Sequence, residues 1–167
     1  MVKRALLVDT DLCYGCLTCQ VACQQEHGLD AEQYFIRVKQ IGPYRIDGRL
    51  AMDFVPSACR HCDQPACLES CPEEAISKRG DGIVLIDAAR CTGCQLCLEA
   101  CPFGAPQFIA GKNIVQMCDL CLERLEEGLS PACVHHCPTG ALSVGDPEQS
   151  ARVRGRGAAR SDMENPE

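Results

Sequence analysis

Residues 91–102 read CTGCQLCLEACP: Cys91, Cys94, Cys97 and Cys101 stand close together, and Pro102 follows the last of them. The same C-x2-C-x2-C-x3-C spacing recurs at Cys13, Cys16, Cys19 and Cys23. Two looser quartets complete the set. Cys59, Cys62, Cys67 and Cys71 have their middle gap stretched by DQPA, and Cys118, Cys121, Cys133 and Cys137 have theirs stretched by LERLEEGLSPA. All 16 cysteines fall into these four quartets, with none left over. Pro72, Pro102 and Pro138 follow the last cysteine of three quartets, whereas Gln24 follows Cys23, so the turn there is expected to differ.

Cysteine makes up almost a tenth of the 167 residues, far above ordinary usage. A secreted disulfide scaffold, a zinc protein and an iron–sulfur protein are the competing readings. A disulfide scaffold would follow a cleavable signal, but MVKRALLVDTDLC offers only Ala5-Leu6-Leu7-Val8 before charge returns at Asp9, too short for its apolar segment. Zinc takes one tetrahedral centre and usually two C-x2-C knuckles set apart by a longer loop, which suits the third quartet poorly. A C-x2-C-x2-C run instead wraps a tight loop around a cube, with three thiolates reaching three corners and backbone N–H groups pointing at the sulfides. The loop cannot reach the fourth corner. This is the spacing of bacterial ferredoxins that bind [4Fe–4S] clusters, in which the fourth cysteine of each run serves the other cluster. The quartets therefore point to four [4Fe–4S] clusters, with all 16 cysteines as iron ligands.

The flanks say which quartets pair. Between Cys71 and Cys91 the chain reads CPEEAISKRGDGIVLIDAARC, which predicts a strand at residues 75–77, a turn at RGDG and a strand at 83–86. This is the hairpin that joins the halves of a ferredoxin. CPTGALSVGD after the fourth quartet matches CPEEAIS, and ALLVDTDLC before the first matches IVLIDAARC. The equivalent hairpin is thus split between the two ends of the chain, with residues 6–8 expected beside 141–144.

The fold class expected is α+β: two interleaved bacterial-ferredoxin-like units of short helices and β-hairpins. One unit takes residues 1–23 with 110–147, and the other takes 59–109. An inserted β-hairpin occupies 24–58, and an Arg-rich tail, flexible or docking, occupies 148–167. By ferredoxin exchange, Cys13, Cys16 and Cys19 would take Cys137, and Cys118, Cys121 and Cys133 would take Cys23. In the other unit Cys59, Cys62 and Cys67 would take Cys101, and Cys91, Cys94 and Cys97 would take Cys71.

Two β-rich runs in 24–58 flank Gly42-Pro43 and an IDG turn, read as a hairpin that packs over a cluster or docks a larger subunit. A second hairpin is expected over 107–109 and 113–116, turning at AGK, and a short helix over 119–127 that ends at Gly128. His61 lies inside CRHC, and His135 and His136 precede Cys137; with thiols enough for every cluster, these are read as neighbours that tune potentials. ARVRGRGAAR, residues 151–160, carries Arg152, Arg154, Arg156 and Arg160 without an acid. It is read as a solvated end or as an arm for an acidic partner.

Formal net charge of −7 argues against a nucleic-acid partner. No stretch approaches the roughly 20 apolar residues of a membrane span. No Ser-His-Asp set, phosphate loop or dinucleotide fingerprint occurs, so the chain is expected to be non-catalytic by itself.

With these motifs in place, the chain resembles the four-cluster electron-transfer subunits of molybdenum and tungsten pterin oxidoreductases. Relatives include the iron–sulfur subunits of dimethyl sulfoxide, polysulfide and thiosulfate reductases, formate dehydrogenases and tungsten aldehyde oxidoreductases. The matching pieces are CYGCLTCQVAC, CRHCDQPACLESCP, CTGCQLCLEACPFGAPQF and MCDLCLERLEEGLSPACVHHCPTGAL, together covering 13–142. The resemblance implies an electron-transfer subunit wired to a molybdenum- or tungsten-pterin catalytic subunit, with an aldehyde oxidoreductase or a formate dehydrogenase as the enzyme expected. A flavin- or NAD-binding subunit is a further expected partner. Some relatives replace a cysteine and carry a [3Fe–4S] centre; here every position holds cysteine. The short Arg-rich tail, in place of a membrane-spanning extension, favours a small complex in the cytoplasm, with export on a partner's signal as the alternative. Rival readings are a free polyferredoxin, a zinc-binding assembly module, and a self-associating polymer whose clusters run on from one copy to the next.

Overall fold

Prolines and left-handed residues set the lengths of the helices in this protein. The computed structural model describes residues 2–147 and 153–155. Helix α2 (Ala66–Glu69) starts after an extended Pro65, and α5 (Ala132–His135) after an extended Pro131. Helix α3 (Leu96–Ala100) starts after Gln95 at φ 65°, and α4 (Leu122–Glu126) after Cys121 at φ 49°. Proline disfavours helical geometry in the residue before it; accordingly Cys101, ahead of Pro102, is extended at φ −87°, ψ 110° and ends α3. The exception is α1 (Thr18–His27), ten residues long, because Gln24 lets the helix run on past Cys23. It closes at Gly28, whose N–H bonds to the Gln24 carbonyl.

The strands form small sheets around these helices. β1 (Ala5–Asp9) runs antiparallel to β8 (Leu142–Gly145), with Leu6 opposite Val144 and Val8 opposite Leu142. β2 (Ile36–Ile46) and β3 (Arg49–Ala58) make the long hairpin, turning at Asp47-Gly48. Both turn residues have positive φ, as a tight two-residue hairpin loop requires. Gly42-Pro43 falls at a register shift between Ile41 and Tyr44 inside β2. β4 (Ile76–Lys78) pairs with β5 (Val84–Ile86), and β6 (Gln107–Ile109) with β7 (Ile114–Gln116), both antiparallel. The expected hairpins are thus present, with β4, β5 and β7 each beginning one residue later than the sequence predicts. The helix expected over 119–127 is confined to α4, since Leu120 and Cys121 take left-handed backbone.

One strand is not foreshadowed. Within the stretch expected as a tail, Val153–Arg154 form β9, which lies parallel to β1 with Asp9 opposite Arg154. Arg154 Nε reaches Asp9 Oδ2 at 2.9 Å, and Thr10 donates to the Arg154 carbonyl through both its N–H and its hydroxyl. Arg152, Arg156 and Arg160 lie outside the described residues.

The interior is aliphatic and sulfurous. One buried cluster joins Leu6, Val8, Phe35, Ile36, Ile83 and Leu120 to Cys19, Cys23 and Cys133; a second joins Ile76, Val84, Val115 and Met117 to Cys67 and Cys97. Helix α1 packs on α5, and α2 on α3.

Two of the hairpins each cover a cysteine loop through a glycine. Gly15 faces the Phe54 ring of β3 so closely that a methyl group there would overlap it. Gly93 does the same against the β6–β7 turn: a Cβ would lie 2.5 Å from the Asn113 carbonyl oxygen, at a backbone φ of +73°. Gly93→Ala is therefore expected to destabilise the folded chain by about 1–3 kcal/mol. Gly111→Ala, where the space is open, should change stability by less than about 0.5 kcal/mol. Thermal bleaching of the visible absorption measures both; equal midpoints for the two variants would show that the approach at Gly93 carries no weight.

Candidate metal centre

Four cysteine loops share a backbone signature. The residue before the second cysteine of each loop has positive φ: Gly15 at 75°, His61 at 45°, Gly93 at 73° and Leu120 at 59°. Leu17 and Gln95, directly after the second cysteine of the two tight loops, are also left-handed, at 62° and 65°. Backbone alternating in this way turns successive N–H groups into one concavity, a nest for an anion. The sulfurs receive N–H groups from these loops and from neighbouring strands. His61 N–H donates to Cys59 Sγ at 3.4 Å and Val115 N–H to Cys91 Sγ at 3.3 Å. Backbone N–H groups of Gly15, Gln20 and Leu120 likewise serve Cys13, Cys19 and Cys118, and those of Phe35 and Ile36 serve Cys23.

The thiols gather in sets that each draw on two quartets. Cys13, Cys16, Cys19 and Cys137 line one cavity, with Val38 and Pro56 of the β2–β3 hairpin as part of its wall. Cys59, Cys62, Cys67 and Cys101 line a second, and Cys71, Cys91, Cys94 and Cys97 a third. In the fourth set, Cys121, Cys133 and Cys118 are each close enough to Cys23 for its charge to act on them.

Burial governs the electrostatics. It pushes the thiols of Cys19 and Cys59 up to about 12 and those of Cys97 and Cys121 up to about 11, from an ordinary 9.0. The same desolvation pushes Cys118 and Cys133 well up, with neighbouring thiols adding to it. Those added charges also connect the sets: Cys19 acts on Cys133, Cys59 on Cys118, and Cys67 on Cys97. Electrostatic reach thus links the sets in series, the Cys13 set to the Cys118 set, the Cys118 set to the Cys59 set, and the Cys59 set to the Cys91 set. Only the two ends of this series hold an exposed cysteine, Cys16 in the first set and Cys94 in the last. At Cys16 hydrogen bonds from the Thr18 hydroxyl and N–H hold the thiol below its ordinary value, the opposite of its buried neighbours.

Histidine has no place in the three cavity walls. His61 is buried, and its Nδ1 accepts from Val84 N–H at 3.0 Å, tying the second loop to β5. His135 and His136 stack edge to face with ring centroids 5.0 Å apart. Two residues that sequence reasoning passed over stand at the sulfur sites. Lys78 Nζ donates to the Cys62 carbonyl at 2.7 Å and secures the second loop from β4. His27, in the last turn of α1, places Nε2 3.6 Å from Cys121 Sγ; the available signal was the missing proline after Cys23, which lets α1 continue.

Sulfur-only donor sets select zinc or iron–sulfur chemistry. Buried thiols that ionise with difficulty need a strong cation opposite them to become ligands. The N–H groups aimed at sulfur suit a cluster, whose sulfurs carry negative charge that donors stabilise. On these grounds the residues fit [4Fe–4S] clusters.

Comparison with known proteins bears on the same point. A family model described as a 4Fe-4S dicluster domain matches residues 50–147, the span of the last three quartets. This protein is 36% identical over 164 residues to a component of the anaerobic dimethyl sulfoxide reductase of Escherichia coli, covering 94% of this protein and 80% of that component. It is 38% identical over 145 residues to a component of the tetrathionate reductase of Salmonella typhimurium, covering 86% of this protein and 58% of that component. It is 32% identical over 187 residues to the iron–sulfur subunit of the nitrate-inducible formate dehydrogenase of Escherichia coli, covering 98% of this protein and 64% of that subunit. Thiol chemistry, loop geometry and kinship agree: this protein belongs to the 4Fe-4S dicluster family, and its cofactor is the [4Fe–4S] cluster.

Proposed function

We propose that this protein is the electron-transfer subunit of an oxidoreductase complex, carrying electrons through four [4Fe–4S] clusters between a molybdenum- or tungsten-pterin catalytic subunit and a second redox partner. The observation that carries the reading is the series of four thiol sets, with no exposed cysteine in its two middle sets and an exposed one, Cys16 or Cys94, in each end set. A series with exposed thiols only in its end sets suits passage from one partner to another. The ligand sets proposed are Cys13, Cys16, Cys19 with Cys137; Cys118, Cys121, Cys133 with Cys23; Cys59, Cys62, Cys67 with Cys101; and Cys91, Cys94, Cys97 with Cys71. They correspond to two interleaved ferredoxin-like units, residues 1–23 with 110–147 and residues 59–109.

When bound, the clusters supply one-electron transfer with little rearrangement. The polypeptide does the rest. Its thiols hold the iron, its N–H groups favour the more negative state, and Val38, Pro56, Ile76, Val84 and Val115 keep water from the sulfurs. Substrate chemistry belongs to the partner. The relatives named above serve reductases and a formate dehydrogenase, which supports a catalytic subunit of that kind here.

The end at Cys16 suits a lasting contact. Tyr14 and Leu17 line the cavity beside Cys16 and are 58% and 46% exposed, and Val21, one turn further along α1, is 50% exposed. Apolar side chains left open together mark an interaction site, which favours a stable subunit over a free polyferredoxin. We place the catalytic subunit at this end, a flavin- or NAD-binding subunit at the Cys94 end, and the complex in the cytoplasm. Among the described residues no helix is long and apolar enough to cross a membrane.

Three measurements test this reading. Anaerobically prepared protein should hold about 16 iron and about 16 sulfide per chain, by the composition of four cubanes, and should copurify from its host with a pterin-containing chain in equal amount. Mainly zinc, or iron for two clusters only, would overturn it. Cys101→Ser should abolish the same electron paramagnetic resonance signal as Cys59→Ser and keep the one lost in Cys94→Ser; the reverse pattern would return Cys101 to its own loop. Because burial raises metal-free thiols such as Cys121 and Cys19 to about 11 and about 12 and only thiolates bind iron, protons should compete with iron less, and iron be held more tightly, as pH rises from 7 and on past the ordinary thiol value of 9.0. Release to a chelator that does not itself titrate in that window should slow with rising pH, and an unchanged rate would contradict the assignment of cause.

A further inference from the structure

Three of the four fourth-position cysteines are followed by proline, and the helix before each ends there. After Cys23 the chain has Gln24, α1 gains another turn, and that turn carries His27 to the Cys118 set. The imidazole is 19% exposed. Its Nε2 lies 3.6 Å from Cys121 Sγ, inside hydrogen-bonding range for sulfur. Its ring is held edge-on by buried Phe35, centroids 5.1 Å apart. Phe35 also sends its N–H to Cys23, so one residue orients both the imidazole and the sulfur of the same set.

The surroundings of this set are acidic. Asp119 Oδ1 accepts from Cys121 N–H at 2.8 Å and lies 3.8 Å from His27 Nε2. Glu26 is near as well, paired with Arg124 at 3.2 Å. Carboxylates beside a cluster disfavour adding an electron, and a donor to a ligand sulfur favours it. A thiolate bound to iron has no proton to give, so in a His27–Cys121 hydrogen bond the proton sits on Nε2 and sulfur accepts. His27, Asp119 and Cys121 have the donor types of a separate mononuclear metal site, but Cys121 is already committed to the Cys118 set and two donors remain.

We propose that His27 is a positioning residue for electron transfer: its Nε2–H donates to Cys121 sulfur and raises the reduction potential of the cluster held by Cys118, Cys121, Cys133 and Cys23. The inference rests on the ligand reading given above, and it adds which cluster is tuned, by what atom and in which direction. The series makes the position consequential, because this set links the Cys13 set, with its exposed Cys16, to the other two.

The test is a redox titration of the full chain, loaded with iron and sulfide and followed by electron paramagnetic resonance. His27→Phe keeps an aromatic ring against Phe35 and removes the N–H; His27→Gln keeps an N–H where Nε2 stood. The phenylalanine variant should hold as much iron as wild type and show one midpoint lowered, that of the signal lost in Cys121→Ser, with the other three in place. The glutamine variant should lie nearer wild type than His27→Phe does. Unmoved midpoints in His27→Phe, equal shifts in both variants, or loss of iron from His27→Phe would each overturn the proposal, the last by making the residue structural. Wild-type protein in which the Cys118 set holds no iron would instead overturn the underlying ligand reading.

Discussion

Sulfur buried inside a chain with almost no other means of cohesion is the constraint on which this structure depends. Aromatics are 4% of the residues and tryptophan is absent. β4 to β7 have three residues each and pair two by two, well short of what stands alone in water. What joins these pieces is that cysteines belong to all three buried clusters. Thiols there pack as small apolar groups when protonated and as ligands when ionised. In the second state, bonds to the metal substitute for the contacts a larger core would make, and metal binding becomes folding free energy.

The same constraint dictates the backbone. A loop that turns N–H groups inward at a cluster needs left-handed residues at set positions, and the chain uses glycine there where another strand closes over it. Gly15 and Gly93 sit under Phe54 and the Asn113 carbonyl. His61 and Leu120, in the two stretched loops, adopt positive φ with side chains turned into the core, both nearly fully buried. Their own side chains lie in the interior, His61 accepting from Val84 N–H of β5. Loop and cover are thus two solutions to one requirement, exclusion of water from sulfur.

Most of this was legible in the amino-acid sequence because ligand spacing is a local property. The quartets mark every thiol, the PEEAIS and IVLID flanks mark the β4–β5 hairpin, and their echoes at the two ends anticipate β1 beside β8. What was not legible arises from tertiary contact. Val153–Arg154 lie in a run of glycine, alanine and arginine without alternation, and become β9 only because β1 offers an edge and Asp9 a carboxylate. His27 lies in the polar run QQEHG and gains meaning only from where α1 ends.

That ending shows how a repeated motif acquires different parts. Four loops built alike would hold four clusters in similar surroundings, and a row of similar sites gives electrons little direction. One substitution in the repeat, glutamine for proline after Cys23, lengthens a single helix by a turn and brings an imidazole, with Asp119 and Glu26 near it, to one sulfur set. Gln24 itself stabilises the altered turn, its Nε2 donating to the carbonyls of Asp30, Ala31 and Gln33. The amide that replaces the proline therefore both permits the extra helical turn and holds the chain that leaves it. The Cys118 set thereby becomes chemically unlike its neighbours, and under the proposed function the difference falls on the path of electrons that enter at Cys16.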